Sequence, residues 1–147
     1  MRLHHLGRRG LPIAALAAAV PLALAQPAAA SPLSAPLTWT FDKCAVGPGV
    51  WQGTAHGPAG TSESLTTNLT SARQTDSVLH VDFDWHVGDT YLAQLTGTLN
   101  LKTGAVVMNG QVAEGSYVGS QVHEEGQLYD PINSCFAGTI QVMLASG

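Results

Sequence analysis

Two short stretches of this sequence hold side chains that could do chemistry. In His80-Val81-Asp82-Phe83-Asp84-Trp85-His86, imidazoles and carboxylates alternate with apolar residues. His80, Asp82, Asp84 and His86 are all metal-ligand types, and an imidazole beside a carboxylate is a common acid/base pair. Spacing limits the metal idea. On an extended strand, same-face neighbours lie about 6.7 Å apart and His80 to His86 spans about 20 Å, so one ion cannot reach all four. Any metal would need further ligands from another strand, and a solvated polar face that discourages edge pairing explains the same pattern. The second stretch runs from Tyr117 to Tyr129. If it is one regular strand, Tyr117, Gln121, His123, Glu125 and Tyr129 share a side, and Val118, Val122 and Leu128 share the other with Glu124. Inside a cavity, His123 and Glu125 could exchange a proton with a ligand once their pKa values are tuned, with Tyr117 as a third candidate. Trp85, Tyr129 and Gln121 are candidates for ligand contact. The more apolar set is the natural inward choice, which would leave His123 and Glu125 as part of a hydrated exterior.

Beyond these stretches the sequence carries no recognised catalytic signature. There is no Gly-x-Ser-x-Gly elbow, phosphate-cradling loop, dinucleotide fingerprint, His-Glu-x-x-His motif or cysteine cluster. No cofactor is implied.

The elements that would position these side chains are strands. Leu79, Val81, Phe83, Trp85 and Val87 alternate with polar residues, and Tyr91 to Leu101 continues the pattern. Lys102-Thr103-Gly104 signals a turn before the returning strand Ala105 to Ala113. Asp130-Pro131-Ile132-Asn133-Ser134 has strong turn chemistry, because Pro presets φ and Asp can bond the backbone that follows. The last strand then runs from Cys135 to Leu144. Leu37 to Phe41, Val50 to His56 and Glu63 to Arg73 complete a set of about eight short strands, with no sustained helical periodicity. Eight short strands with regular turns predict an all-β antiparallel barrel, with a β-sandwich as the alternative.

Residues 1–30 read as a secretory signal peptide. Arg2, Arg8 and Arg9 precede an apolar run from Leu11 to Ala25, and small residues at Ala28 and Ala30 suit cleavage before Ser31. The run is shorter than a bilayer span, so no stable membrane anchor is expected after cleavage. The flanks of Arg8-Arg9 fit the twin-arginine signal poorly, which favours ordinary secretion. Residues 31–36 form a linker, and residues 37–147 a single domain. Without the leader, three basic side chains face ten acidic ones, a net charge of −7. Such a domain lacks the clustered Lys and Arg that nucleic acid binding requires. Export also makes the two cysteines legible, because an oxidising compartment favours a Cys44–Cys135 disulfide. That bond would tie the end of the first strand to the start of the last. Antiparallel pairing of those two strands closes a meander and removes its edges, which favours the barrel over the sandwich.

The run Gly97-Thr98-Leu99-Asn100-Leu101-Lys102-Thr103-Gly104, then Asn109-Gly110-Gln111-Val112, the Gly119 to Gly126 segment, Asp130-Pro131 and Phe136-Ala137-Gly138-Thr139-Ile140 resemble a type of small exported bacterial β-barrel protein of unassigned function. More distantly, the segment is similar to the allene oxide cyclase and dirigent type of eight-stranded barrel. That resemblance covers about a third of the chain and implies glycine-punctuated strands around an apolar cavity. No match to the catalytic residues of that superfamily is present, so none is carried over. The expected function is therefore a secreted binding module for a small apolar ligand, a glycan or an extracellular protein. The alternative is a cavity-based isomerase or cyclase using His123 and Glu125.

Overall fold

A computed structural model describes residues 34–145. The leader and its cleavage point lie outside the described residues. Eight strands follow one another in chain order: β1 (Leu37–Gly47), β2 (Val50–His56), β3 (Ser62–Thr75), β4 (Val78–Val87), β5 (Tyr91–Asn100), β6 (Ala105–Gly115), β7 (Gln121–Asp130) and β8 (Cys135–Met143). Each pairs antiparallel with the next, and β8 returns to pair with β1, so the sheet is a closed barrel. The expected all-β barrel of eight strands is thus the fold of this chain.

Closure rests on an unbroken register from Leu37↔Val142 to Cys44↔Cys135. The two cysteines are therefore directly opposite, with Cα atoms 4.0 Å apart, and are disulfide-bonded. Once the sheet is closed, period-two alternation sorts every strand into an inward and an outward set. Inward on β4 are Val81, Phe83, Trp85 and Val87, all buried, while His86 is exposed on the outer side. The outer sides of β4 and β7 are polar, carrying His, Asp, Gln and Glu.

The expected turns form where Asp and Asn can satisfy backbone donors. Asn100 Oδ1 accepts hydrogen bonds from the amides of Lys102 and Thr103, and Gly104 takes φ +74°. Asp130 Oδ1 likewise accepts from the amides of Ile132 and Asn133. One expected strand is shorter than its sequence pattern suggested. The run from Tyr117 to Tyr129 begins in a loop, because Tyr117 and Gly119 have φ of +68° and +83° and β7 starts only at Gln121. A left-handed residue breaks the alternation, so Tyr117 does not share a face with His123.

The two ends of the barrel are unlike. At the end carrying the β2–β3, β4–β5 and β6–β7 connections, aromatic rings fill the lumen. Trp39 packs edge-on to Tyr91 at 5.9 Å between centroids, and Tyr91 packs edge-on to Tyr117 at 6.0 Å. Gly57 lies so close beneath the Trp39 indole that a Cβ there would overlap the ring. The end carrying the disulfide and the β1–β2, β3–β4, β5–β6 and β7–β8 turns has its own edge-on rings, Trp51 with Phe83 at 5.4 Å and with Phe136 at 6.4 Å, but there the lumen is not filled.

Since the disulfide joins the two strands whose pairing closes the sheet, its loss should loosen closure as well as lengthen the free chain. The Cys44→Ser/Cys135→Ser double variant is expected to fold with about 2–5 kcal/mol less stability. The denaturant midpoint of this variant against the oxidised protein checks that.

Candidate functional site

The inward alternation of β1 runs Trp39, Phe41, Lys43, and that of β7 runs Val122, Glu124. Strand parity therefore carries one cation and one carboxylate into the lumen. Both are almost wholly enclosed: Lys43 is 4% exposed and Glu124 1%. They are the only charged side chains buried among the described residues.

Rings compensate the charge on Lys43. Its Nζ stands 3.8 Å from the centroid of Trp85, with Phe83 at 5.2 Å, Phe41 at 5.4 Å and Phe136 at 6.0 Å. An ammonium over such faces is held by the ring quadrupoles, most strongly by indole. The Thr67 hydroxyl accepts a long hydrogen bond from Nζ at 3.4 Å. Glu124 is less well provided for, since its Oε2 has no hydrogen-bond partner. The two charges do not touch. Among the described residues the one ion pair within 4.0 Å is that of His123 and Glu125.

Desolvation dominates the titration of both groups. Burial lowers the Lys43 ammonium to about 8, against the opposing pull of Glu124. Burial likewise raises the Glu124 carboxyl to about 7, partly offset by Lys43. In each case the uncharged form gains because water is excluded.

Above this pair is a cavity of about 190 Å³, partly open at the unplugged end. Lys43, Glu124 and Ser134 contribute polar groups to its wall. The rest is apolar: Leu69, Leu79, Leu99, Val81 and Val106, with Met108, Trp51, Phe83 and Phe136. Trp51 braces the mouth, its indole N–H donating to the Ser134 carbonyl at 3.0 Å.

The residues singled out from sequence are placed elsewhere. His123 and Glu125 face outward on β7, 30% and 67% exposed, with Nε2 and Oε1 3.1 Å apart. Asn109 Oδ1 lies 2.7 Å from His123 Nδ1, completing a short polar chain on the outer surface. These two side chains are thus within hydrogen-bond reach of each other but do not line the cavity. Gln121 is exposed, and Tyr129 is exposed with its hydroxyl donating to Asp42 Oδ2 at 2.8 Å. Trp85 is fully buried and lies under the Lys43 ammonium, not on the cavity wall. Tyr117 packs at the plugged end. His80, Asp82, Asp84 and His86 lie on the outer side of β4, where Thr96 donates to Asp82 and Gln94 to Asp84. Among the described residues no group of three or more His, Cys, Asp or Glu is arranged to hold a metal.

Lys43 and Glu124 were not singled out from sequence, although a signal for them exists. Each is a charged residue standing on the apolar parity of its strand. No family model matches this chain, and no curated protein matches it.

The buried pair makes a prediction about stability. Glu124 is raised in the folded state, so its contribution is largest below its unfolded value of 4.5 and is lost as pH rises through about 7. Lys43 is lowered, so its contribution is present above its unfolded value of 10.5 and is lost as pH falls through about 8. Stability should therefore dip between pH 7 and 8, with each arm on the order of 3 kcal/mol. Urea unfolding from pH 5 to 10 should show the dip, with Glu124→Gln flattening the acidic arm and Lys43→Met the alkaline one.

Proposed function

We propose that this protein is an exported, non-enzymatic barrel that binds a small apolar molecule through the open end of its lumen. The observation that carries this reading is the cavity of about 190 Å³ walled by aliphatic and aromatic side chains, with a few polar groups at defined points. Binding sites for small molecules have this composition: apolar walls supply affinity and a few fixed polar groups supply orientation. An apolar cavity of about 150 Å³ is enough to hold benzene, so this one suits a single ring or a short aliphatic chain.

Among the ligand classes expected from sequence, the walls favour the apolar one. A glycan would bring many hydroxyls against Leu69, Leu79, Leu99 and Val106, where each would lose its water without gaining a partner. The enzyme reading expected from sequence used His123 with Glu125, and that pair faces outward and does not line the cavity. The closed eight-stranded meander is compatible with the resemblance to the dirigent type of barrel. The disulfide supports an oxidising compartment, in keeping with secretion.

Toluene is a suitable probe, because it has the right size and no polar group. Titration should shift the NMR resonance of the Met108 methyl and change the fluorescence of Trp51, both on the cavity wall. Filling the space from within, by Val106→Phe, should weaken toluene binding by about tenfold or more. Absence of any toluene response in the wild-type protein would overturn the reading.

A further inference from the structure

The pair at the floor of the cavity makes it unequal in its treatment of charge. The Lys43 ammonium is compensated from four ring faces, contributed by β1, β4 and β8, and by the Thr67 hydroxyl of β3. The Glu124 carboxylate has no comparable support, with Oε2 buried and unpartnered. Burial weakens both charges, and Glu124 is the one left without a hydrogen-bond partner at its buried oxygen. Its carboxyl and the ammonium belong to residues that line the same cavity, with no ion pair within 4.0 Å between them.

We propose that the cavity takes up a small apolar monocarboxylic acid, whose carboxylate is held by Lys43 and whose entry is accompanied by a proton that comes to rest on Glu124. The inference rests on the cavity-binding reading above and names the ligand class for it.

Charge counting in a water-poor site leads to this class. With both groups ionised, the empty site is neutral. Adding an anion would leave one uncompensated negative charge among Leu, Val and Phe side chains, which is costly. A proton taken from solvent removes that cost by forming the Glu124 O–H bond, and no other bond is made or broken. One ligand oxygen then accepts from Lys43 Nζ, and another oxygen lone pair of the ligand accepts the Glu124 O–H. The orphaned Oε2 side of that carboxyl is thereby used, and the ammonium gains the oxygen partner it lacks beyond Thr67. An apolar amine is the mirror case and is disfavoured. It would need Lys43 to give up its proton, whereas the surrounding rings stabilise the cation.

Among the described residues no other titratable group is seen against the pair from the strands packed on it. β2 contributes Trp51, β3 Thr67 and Leu69, β4 Phe83 and Trp85, β6 Met108, and β8 Phe136. Tyr91 on β5 is buried at the plugged end, its phenol pushed up by burial and by Tyr117, so it stays protonated throughout the range concerned.

Benzoate and toluene make a matched pair of probes for the intact protein. Benzoate remains an anion across pH 6.5 to 8.5, so any pH dependence belongs to the protein. Its affinity should be at least about tenfold higher at pH 6.5 than at pH 8.5. Calorimetry in buffers of differing ionisation enthalpy should show proton uptake with benzoate and none with toluene. Glu124→Gln should still bind benzoate, because the amide can donate in place of the acid, but should lose most of the proton uptake at pH 7. Lys43→Met should lower the preference for benzoate over toluene by about tenfold or more. If Lys43→Met fails to fold, the loss of proton uptake at pH 7 in Glu124→Gln against the wild-type protein decides the matter. Benzoate binding that is independent of pH, or absent while toluene binds, overturns the proposal and leaves the cavity-binding reading standing. Failure of both probes overturns both.

Discussion

The register between β1 and β8 is the constraint on which the rest of this molecule depends. Those backbone hydrogen bonds turn an eight-stranded meander into a closed surface. An open sheet of the same strands would expose two edges and leave its apolar face in need of a partner. With closure, the sheet packs on itself. The disulfide sits at the last pair of that register, where it holds the two strand ends together at the open end of the barrel.

Closure also decides what the inside contains. Every inward position of eight strands must fill one lumen, and this chain fills it unevenly. Trp39, Tyr91 and Tyr117 crowd one end, whereas Leu, Val and Phe side chains line a hollow at the other. Between them lies the Lys43 and Glu124 pair, a feature that does not serve stability. Buried ion pairs recover their desolvation cost only with close geometry and full hydrogen bonding, and this pair has neither. Replacing it with Leu and Met would be a simpler way to fill a core. Two charges kept apart in an apolar hollow are what the proposed uptake of a carboxylic acid would use.

The outer surface follows a different logic. Asp82 and Asp84 are bonded by Thr96 and Gln94 from the neighbouring strand, and His123 is held between Asn109 and Glu125. These are cross-strand and same-strand polar contacts of a solvated sheet, and they account for the residue types that look most chemical when read in a line. The side chains with unusual environments are those that stand on the apolar parity of their strands, Lys43 with Trp39 and Phe41 and Glu124 with Val122.

Strand number, turn positions and the Cys44–Cys135 tie were all legible in the sequence. Period-two alternation and the chemistry of Asn100, Gly104 and Asp130 are local properties, decided within a few residues. Which set of side chains points inward was legible as well, from the apolar parity of β4 and β7. Tyr117 was not, because a positive φ at one residue leaves no mark in the hydrophobic pattern. Nor was the partnership of Lys43 with Glu124. The two are 81 positions apart on strands separated by β8, and neither carries any sign of the other. Sequence determined an all-β chain of about eight antiparallel strands and favoured a disulfide-tied barrel over a sandwich, because alternation and turn chemistry act over short range. Only the tertiary structure decided where that barrel is hollow and which charges it encloses, because cavities and desolvation arise from side chains on strands distant in the chain.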